Sequence, residues 1–401
     1  MKLRKSGKVL LAAAVLISSA FLMNACGVGP VHTIDFLYIT AAKSNPGQVA
    51  VYKVDGGSGI LRQLPQSPYP TGGRNPITEV ASPDGTSLYV ANRDENTVIQ
   101  FAIGSDGKLY PLSTVNTPGG FPVGLAINSA GTFLYVVDTY QPGYTDATPG
   151  PGAVVVYPIY QDDAPCDTAS GGIAFSGALC KPIANGLIPY FPVGFLPLGI
   201  NVRSDDKTVY VVSKGAASQP GRIYEFSTDA TGVLTPLGTG FINVGVGPTA
   251  ITSSANGAFV YVTDSTANKV YGFAPDATGH LVGVPNSPFR TDVQPVGVTT
   301  DPTSKFAYVV NYTTGSVLPY VINADGSLTV GTSFATGAGP TCAVVEPAQG
   351  KYLFVSNFLD GTVSGYQINP TTGSLVGIQG SPYATPGLST CAASVVNRGS
   401  E

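Results

Sequence analysis

Three ionisable residues with the chemistry of a catalytic or binding site lie close together in the sequence. Glu79 interrupts an otherwise apolar segment, Arg74 precedes that segment, and Arg93 follows the next one. A buried carboxylate must be paired with a cation or become protonated, so Glu79 could form a structural ion pair with Arg74 or Arg93. Alternatively, the three are catalytic residues: Glu79 as a general base, and the arginines as cations that orient a substrate carboxylate or carbonyl group.

Histidine and metal chemistry are not expected. His32 precedes the first repeat unit, and His280 lies in a turn between strands, so neither is placed as a central general base. No cluster of His, Cys, Asp or Glu has metal-site spacing, and no glycine-rich phosphate loop precedes a helix. We therefore expect no metal and no cofactor. The net charge of −4, without a basic stripe after residue 8, argues against nucleic acid as a partner.

A second candidate site is a set of polar residues that each follow a recurring segment of the form aliphatic-aromatic-Val. As a group they would form a ring of hydrogen-bonding side chains for a ligand. The alternative is structural, because Asn and Asp often cap the backbone where a strand breaks into a turn. The candidate ligand-binding residues are Asn92, Asp138, Lys214, Asp264, Asn311 and Asn357.

The recurring segment defines seven repeats. Successive aromatic residues are separated by 51, 46, 75, 51, 47 and 46 residues. A proline lies 13 residues before the aromatic in five repeats, and a Gly turn follows it in most, which predicts four short strands per repeat. Units of about 48 residues with four strands are typical of propeller blades. We predict an all-β, seven-bladed β-propeller of four-stranded antiparallel blades over residues 34–398. The aromatic residues are Tyr38, Tyr89, Tyr135, Tyr210, Tyr261, Tyr308 and Phe354.

The two ends of the chain are predicted to share one blade. The first repeat lacks its Pro-led strand, and Ser389-Thr390-Cys391-Ala392 resembles Pro340-Thr341-Cys342-Ala343. Residues 388–397 should therefore pair with residues 34–68 and close the ring, which removes open sheet edges. The long gap places an insertion at about residues 141–195 in blade three. It is either an elaborated functional loop or a tolerated insertion.

Four cysteines remain after the N-terminal one. Cys166 and Cys180 bracket a short Gly-rich loop, and we expect them to form a disulfide. Cys342 and Cys391 occupy equivalent positions in adjacent blades. They could also be bridged if their Cα atoms lie within about 7 Å, or they could simply be small residues at a crowded axis.

The N-terminus predicts export. A basic start precedes an apolar run from Val9 to Leu22, and these 14 residues suit a signal peptide but are too few to cross a bilayer comfortably. The run leads to Ala25-Cys26-Gly27, which resembles a bacterial lipobox, whose cysteine is acylated. Ordinary signal cleavage at the same site is the alternative.

We therefore predict a signal peptide over residues 1–25, lipidation at Cys26 and a tether over residues 26–33. The lipid anchor would make the membrane a partner and place a lipoprotein in the cell envelope. Gly27 is not the Asp associated with inner-membrane retention, so the outer membrane is the expected destination. We expect a monomer.

The repeats resemble the lactonase-type seven-bladed propeller family with YVTN-type repeats, which includes 6-phosphogluconolactonases. The resemblance is carried by the Pro-led strand, the Asp-Gly-x-Leu turn, and the phrase Ser82-Pro83-Asp84-Gly85 followed by Leu88-Tyr89-Val90-Ala91-Asn92. It implies the propeller fold and, as an activity, hydrolysis of lactones. The chain departs from the enzyme-like pattern because the segments after the inner-strand prolines lack the expected His or Arg.

Two functions from different classes follow. The first is an exported propeller that binds an unknown small molecule or envelope protein at the channel mouth. The second is a lactone hydrolase, that is, a 6-phosphogluconolactonase-like carboxylic-ester hydrolase. A third possibility is a structural role in the envelope. An open mouth carrying Glu79, Arg74 and Arg93 would favour the enzyme, and an apolar or plugged mouth would favour the binding protein.

Overall fold

The structure is a computed structural model that describes residues 32–42, 45–162, 166–171, 175–216 and 219–399. The predicted signal peptide, Cys26 and nearly all of the tether lie outside these residues. Within them, every regular element is a β-strand. A helix long and apolar enough to cross a membrane does not occur in these ranges.

The strands of the described residues form seven antiparallel sheets, numbered as blades in chain order. The first four blades contain these strands: blade one, β1 Thr33–Ala42, β2 Gln48–Asp55, β3 Leu61–Gln63 and β4 Tyr69–Pro70; blade two, β5 Pro76–Ala81, β6 Ser87–Asn92, β7 Thr97–Ile103 and β8 Leu109–Asn116; blade three, β9 Gly120–Ile127, β10 Phe133–Tyr140, β11 Pro151–Pro158 and β12 Phe191–Phe195; blade four, β13 Pro197–Val202, β14 Thr208–Ser213, β15 Arg222–Thr228 and β16 Leu234–Asn243.

The last three blades continue the pattern, and the final strand returns to blade one. Their strands are, in blade five, β17 Pro248–Ser253, β18 Val260–Asp264, β19 Lys269–Pro275, β20 Leu281–Gly283 and β21 Phe289–Arg290; in blade six, β22 Pro295–Thr300, β23 Phe306–Asn311, β24 Ser316–Ile322, β25 Leu328–Val330 and β26 Phe334–Ala335; in blade seven, β27 Pro340–Val345, β28 Tyr352–Asn357, β29 Thr362–Ile368, β30 Leu375–Gly377 and β31 Tyr383–Ala384; and at the C-terminus β32 Leu388–Val396.

The predicted closure of the ring is confirmed. β32 pairs antiparallel with β1, with Tyr38 opposite Ala393, and becomes the innermost strand of blade one. The disulfide Cys342–Cys391 links β32 to the inner strand of blade seven, with its Cα atoms 5.0 Å apart. The inner strands of blades seven and one are therefore close enough for a disulfide. Of the two alternatives given for this cysteine pair, the disulfide is the one that the structure contains.

The second strand of each blade forms the centre of the fold. In β6, β23 and β28 every residue is buried, because both faces of each sheet are covered by neighbouring blades. All seven repeat aromatics are fully buried at 0% exposure. Their burial explains why this position is the most regular feature of the sequence.

The outer strands of blades one, five and seven are interrupted at a Ser-Pro pair. Proline has no N–H to donate to a sheet, and in each case the serine hydroxyl accepts a backbone N–H from the adjacent strand instead. Examples are Ser67, bonded by Val51 N at 2.8 Å, and Ser287, bonded by Gly272 N at 2.9 Å. A short strand segment then completes the blade's edge.

The blade-three insertion is two segments rather than one. β11 lies inside the predicted range, so residues 141–150 connect β10 to β11 and residues 159–190 connect β11 to β12. The predicted disulfide between Cys166 and Cys180 is present in the second segment, with Cα atoms 5.8 Å apart.

The strand directions define two faces. We call the side where the inner strands begin the mouth face, and the side with the turns between first and second strands the turn face. On the turn face, four of the repeat tyrosines link adjacent blades. The hydroxyl of each of these four donates a hydrogen bond to a glycine carbonyl in a turn of the next blade. These pairs are Tyr38–Gly107 at 3.1 Å, Tyr210–Gly279 at 2.5 Å, Tyr261–Gly326 at 3.0 Å and Tyr308–Gly373 at 3.2 Å.

Candidate functional site: the central channel and its mouth

The innermost strands of the seven blades surround a central channel. The cavity between them has a volume of about 520 Å³. Among the described residues that line it there is no Asp, Glu, His, Lys or Arg. Its surface is mainly aliphatic, from Ile77, Val123, Leu125, Leu198, Ile200, Ile251, Val296 and Val298.

The threonine hydroxyls of the channel wall are already used within the fold. Thr249 Oγ1 donates to the carbonyl oxygen of Pro295 at 2.9 Å, and Thr390 Oγ1 donates to that of Pro76 at 2.8 Å. Thr341 Oγ1 donates to the carbonyl oxygen of Thr390 at 2.7 Å. Since each bond joins the inner strands of neighbouring blades, these polar groups hold the ring together and leave the channel apolar.

The mouth of the channel carries further apolar groups. Tyr312 and Phe358 line the cavity, and each directly follows the last residue of a second strand, Asn311 or Asn357. Large exposed side chains lie in neighbouring loops of the same face: Leu196, Val246, Val293 and Leu359, between 39% and 55% exposed. Apolar groups concentrated around an opening are typical of a binding surface.

Two bulky residues at this mouth have a strained backbone. Phe121 has φ 57° and Leu196 has φ 51°, directly before inner-strand prolines, where blade seven has Gly339. A left-handed conformation costs a residue with a Cβ roughly 1–2 kcal/mol. Arg93 lies over the Phe121 ring, with its guanidinium carbon 4.8 Å from the centroid. Bulky side chains are therefore held at the mouth despite an unfavourable backbone.

Glu79 is not among the residues that line the channel cavity, although the equivalent Leu125 and Ile200 are. It is 94% buried on β5, as its 6% exposure shows, and its Oε2 accepts a hydrogen bond from Thr40 Oγ1 at 2.5 Å. Its other oxygen has no hydrogen-bond partner. Burial raises the pKa of this carboxyl to about 8, although the Thr40 hydrogen bonds act in the opposite direction. Glu79 is therefore mostly protonated at pH 7 and is poorly suited to be a base.

The expected ion pair between Glu79 and Arg74 or Arg93 is wrong. Arg74 Nε pairs instead with Glu95 Oε1 at 2.6 Å on the exposed surface, and Arg93 stacks on Phe121. Burial instead favours the protonated form of Glu79, and Thr40 bonds one of its two oxygens, which is the other solution for a buried acid. The three residues are not brought together, and a catalytic role for them stays a prediction.

The five Asn and Asp residues of the ring, four of them at the last position of a second strand and Asp138 two residues before it, are all fully buried, and none lines the channel. Most of them form hydrogen bonds with the loop that leads to the inner strand of the same blade. This agrees with the structural alternative for the ring, in which Asn and Asp stabilise the backbone and do not bind a ligand. Their contacts are Asn92 Nδ2 to Thr71 O at 3.0 Å, Gly119 N to Asp138 Oδ2 at 3.0 Å, Val246 N to Asp264 Oδ2 at 2.7 Å, Thr291 Oγ1 to Asn311 Oδ1 at 2.8 Å and Asn357 Nδ2 to Ser364 Oγ at 2.9 Å. Burial raises the pKa of Asp138 to about 7.

The remaining candidates lie apart from the channel. Lys214 is exposed beside Leu196 in a shallow depression of the mouth face. His280 Nδ1 lies 2.7 Å from Oε2 of the buried Glu225, at a turn on the opposite face. No three His, Cys, Asp or Glu side chains in the described ranges are grouped as metal ligands.

Two channel residues at the mouth lie one position after members of the candidate ring. They are Tyr312 and Phe358, which follow Asn311 and Asn357 and line the cavity. Two aromatics following Asn311 and Asn357 were visible in the sequence and could have indicated an apolar mouth.

A family model described as "Lactonase, 7-bladed beta-propeller" matches residues 47–141 and 208–342. This is more than half of the chain, and it includes inner strands that form the channel. The chain belongs to this lactonase propeller family. The gap in the match, residues 142–207, contains nearly all of the blade-three insertion.

Solved structures similar to this lactonase-family propeller agree with its fold. A putative 6-phosphogluconolactonase from Bacteroides fragilis is 19% identical, with a TM-score of 0.72 over 92% of this chain and 99% of that one. One from Bacteroides uniformis is 20% identical, with a TM-score of 0.73 over 91% and 100%. The periplasmic gluconolactonase of Pseudomonas aeruginosa is 19% identical, with a TM-score of 0.70 over 90% and 99%. A comparison with curated protein sequences gave no significant match.

Proposed function

We propose that the protein is a lipid-anchored propeller of the cell envelope that binds an apolar ligand, or an apolar segment of a partner, at the mouth of its central channel. The observation that carries the proposal is the composition of the channel. A cavity of about 520 Å³ is large enough for a small organic molecule, and the described residues that line it include no Asp, Glu, His, Lys or Arg. Such a surface favours apolar groups.

Export and anchoring are supported by the N-terminal sequence and by the cysteines. The basic start, the apolar run and Ala25-Cys26 have the order of a lipoprotein signal. The four other cysteines form two disulfides, which persist in oxidising compartments such as the periplasm.

The binding proposal is tested with N-phenyl-1-naphthylamine, a neutral apolar dye, and protein beginning at Gly27. We expect one saturable site, and weaker binding in Leu198→Trp, which places a larger ring in the channel. The matched control is Leu112→Trp, because Leu112 is 42% exposed on the outer strand β8. Absence of saturable binding, or equal binding by both variants, contradicts the proposal.

A second candidate, lactone hydrolysis, is favoured by family membership. The Pseudomonas aeruginosa neighbour is a periplasmic gluconolactonase, and an exported protein would meet unphosphorylated lactones. The reaction requires a base for water and donors for the developing oxyanion. Arg93 could serve as a donor, but Glu79 is not among the residues that line the cavity, and burial raises its pKa to about 8, which disfavours a carboxylate base at neutral pH.

A pH-stat assay over sugar and aliphatic lactones tests this candidate. Hydrolysis above the buffer rate that is lost in both Arg93→Ala and Glu79→Gln would establish an enzyme that uses these residues. Hydrolysis that survives both changes would place the chemistry elsewhere. Rates equal to buffer for a folded protein would exclude these lactones as substrates.

A further inference from the structure

One residue of each blade, four positions after the repeat aromatic, belongs to a ring on the mouth face that we call the mouth ring. Two of its members, Tyr312 in blade six and Phe358 in blade seven, line the channel cavity. The mouth ring also has two cations, in blades two and four, and no carboxylate. Its other five members are Ala42, Arg93, Thr139, Lys214 and Ser265.

Arg93 is half-buried, and an aromatic side chain fixes its position. Its guanidinium carbon lies 4.8 Å from the centroid of the Phe121 ring, and the Tyr140 ring packs against Phe121 with the centroids 5.9 Å apart. Phe121 lies two residues before Val123, which lines the cavity. The guanidinium group is therefore held over the mouth end of the inner strand of blade three, although Arg93 itself does not line the cavity.

The backbone of Phe121 is held in its left-handed conformation by two hydrogen bonds. Its N–H donates to Asn96 Oδ1 at 2.7 Å, and its carbonyl oxygen accepts from Thr139 Oγ1 at 2.9 Å. Blade six has Gln294 at the same position, with φ 61° and the same bond from its N–H to Asn268 Oδ1. The conformation is therefore shared between blades, and the aromatic ring beneath a cation is what blade three adds.

The guanidinium group of Arg93 has no carboxylate partner in the part of the chain that the structure describes. Stacking uses the face of the group and leaves the N–H donors in its plane available. The carboxylates nearest to it in sequence and on the neighbouring loop are bonded to other side chains: Asp94 to Asn75 Nδ2 at 2.6 Å, Glu95 to Arg74 Nε at 2.6 Å and Asp146 to Tyr140 Oη at 3.0 Å.

Lys214, the second cation of the mouth ring, is exposed beside Leu196 and forms no ion pair with a described residue. The more distant mouth-face carboxylates are also bonded. Asp292 accepts hydrogen bonds from Ser316 Oγ and Ser333 Oγ, and Asp360 accepts one from Ala338 N at 2.6 Å. A ligand with a negative charge therefore meets unpaired cations on one side of the mouth.

We propose that the ligand of the channel is an amphipathic carboxylate, an acyl chain of medium length that ends in a carboxylate group. This inference rests on the proposed binding function and names the ligand class of the same site. The acyl chain occupies the apolar cavity of about 520 Å³, and Arg93 binds the carboxylate through two parallel N–H donors. Lys214 adds attraction from the neighbouring side of the mouth.

The test uses protein beginning at Gly27, which contains every described residue and needs no detergent that would compete for the channel. Decanoate, decan-1-ol and decylammonium are titrated by calorimetry at neutral pH, and by displacement of N-phenyl-1-naphthylamine. We expect decanoate to bind at least about tenfold more tightly than the other two compounds. Arg93→Gln should weaken decanoate about tenfold and Lys214→Gln about twofold to threefold, without changing the affinity for decan-1-ol.

Arg62→Gln is the matched control, because Arg62 is exposed on the outer strand β3 and its loss changes the net charge equally. It should leave the affinity for decanoate unchanged. Phe121→Asn gives blade three the residue type that blade two has at Asn75, which also has a positive φ. It removes the ring beneath Arg93 and should weaken decanoate but not decan-1-ol.

The outcomes separate this inference from the proposed function. Equal binding of decanoate and decan-1-ol, or an equal loss in Arg62→Gln and Arg93→Gln, overturns the inference and leaves a channel for uncharged apolar ligands. Absence of binding by all three compounds and by the dye contradicts the proposed function as well. Leu198→Trp should weaken decanoate and decan-1-ol alike. Unchanged decanoate binding in that variant would place the acyl chain outside the channel and also overturn the inference.

Discussion

Thr40 donates a hydrogen bond of 2.5 Å to Oε2 of Glu79 at the point where the closing strand meets blade two. The same Thr40 hydroxyl lies 2.7 Å from the hydroxyl of Thr390 on β32, which itself bonds to Pro76 O. Strands β1, β32 and β5 are therefore joined by one buried polar network. At the position of Glu79 the other inner strands have apolar residues such as Leu125, so this junction alone among them contains a carboxyl group.

The first prediction concerns pH. Burial raises the pKa of Glu79 from 4.5 to about 8, so between these values the folded protein binds a proton that the unfolded chain has released. Stability should therefore fall as pH rises from about 5 to about 8, by an amount on the order of 4 kcal/mol at most from this residue. Denaturant unfolding at several pH values measures it, and Glu79→Gln should show a shallower decline.

Glu95→Gln is the matched control for this experiment. Glu95 is partly exposed. Desolvation raises its pKa, but hydrogen bonds and charge from Arg74 outweigh this and lower the pKa, so Glu95 titrates below the window. Its removal should leave the slope between pH 5 and pH 8 unchanged. Asp138, also buried, should retain part of the decline in Glu79→Gln. Equal slopes in wild type and Glu79→Gln would show that Glu79 is ionised in the folded protein.

Much of the fold was predictable because a propeller repeats the same four-stranded blade seven times. The aromatic of each second strand, such as Tyr89, must be buried between blades, and the proline that begins most inner strands, such as Pro76, needs no ladder donor there. The closing strand was predictable because the sequence of residues 389–392 resembles that of residues 340–343. Repetition supplies several independent observations of each rule, which a single domain does not.

The site was less predictable because side-chain direction depends on local irregularities. The inner strand of blade two has a bulge between Pro76 and Thr78, which shifts the alternation of faces. Counting from Pro76 therefore does not tell which side of β5 Glu79 occupies. The sequence also did not predict that Arg74 pairs with Glu95, because Glu95 lies in a turn whose path depends on tertiary contacts.

The second prediction is that the Cys342–Cys391 disulfide stabilises the closure. Its cysteines are 49 residues apart, and a loop of that length corresponds to about 4 kcal/mol in the chain-entropy estimate. The double variant Cys342→Ser/Cys391→Ser should unfold at clearly lower guanidinium concentration. Cys166→Ser/Cys180→Ser should have a smaller effect on the main transition, because that bridge lies in the insertion. Equal effects of the two pairs would contradict a special role for the closing bridge.

The third prediction separates two tyrosines at equivalent positions. Tyr261→Phe loses the 3.0 Å bond to Gly326 and leaves a buried carbonyl unpaired, which should cost about 1–2 kcal/mol of unfolding free energy. Tyr135→Phe removes a hydroxyl that is not bonded to a glycine carbonyl of the next blade and has Thr228 as its neighbour, and it should stay within about 0.5 kcal/mol of wild type. Urea denaturation of both variants measures the difference, and similar losses would mean that Tyr135 has a partner.

The fourth prediction concerns the proposed anchor at Cys26. Six residues lie between Cys26 and Thr33, where β1 begins on the turn face, and the seven Cα–Cα steps span at most roughly 24 Å when extended. We expect the acylated protein to fractionate with membranes and Cys26→Ser to be released. The short tether would hold the turn face towards the bilayer and leave the channel mouth accessible to protease or antibody. Equal membrane association of both proteins would contradict lipidation.

The last prediction uses the absence of tryptophan from the sequence. Leu198→Trp introduces a single tryptophan into the channel lining, which also includes Val123 and Ile251, whereas Leu112→Trp introduces one on the outer surface. Because an indole in an apolar channel is shielded from water, Leu198→Trp should emit at shorter wavelength and be less accessible to acrylamide than Leu112→Trp. An apolar quencher such as trichloroethanol should show the opposite preference. If both variants emit and quench alike, the channel is water-filled, and an apolar occupant would have to bind at the exposed rim formed by Leu196, Val246 and Leu359.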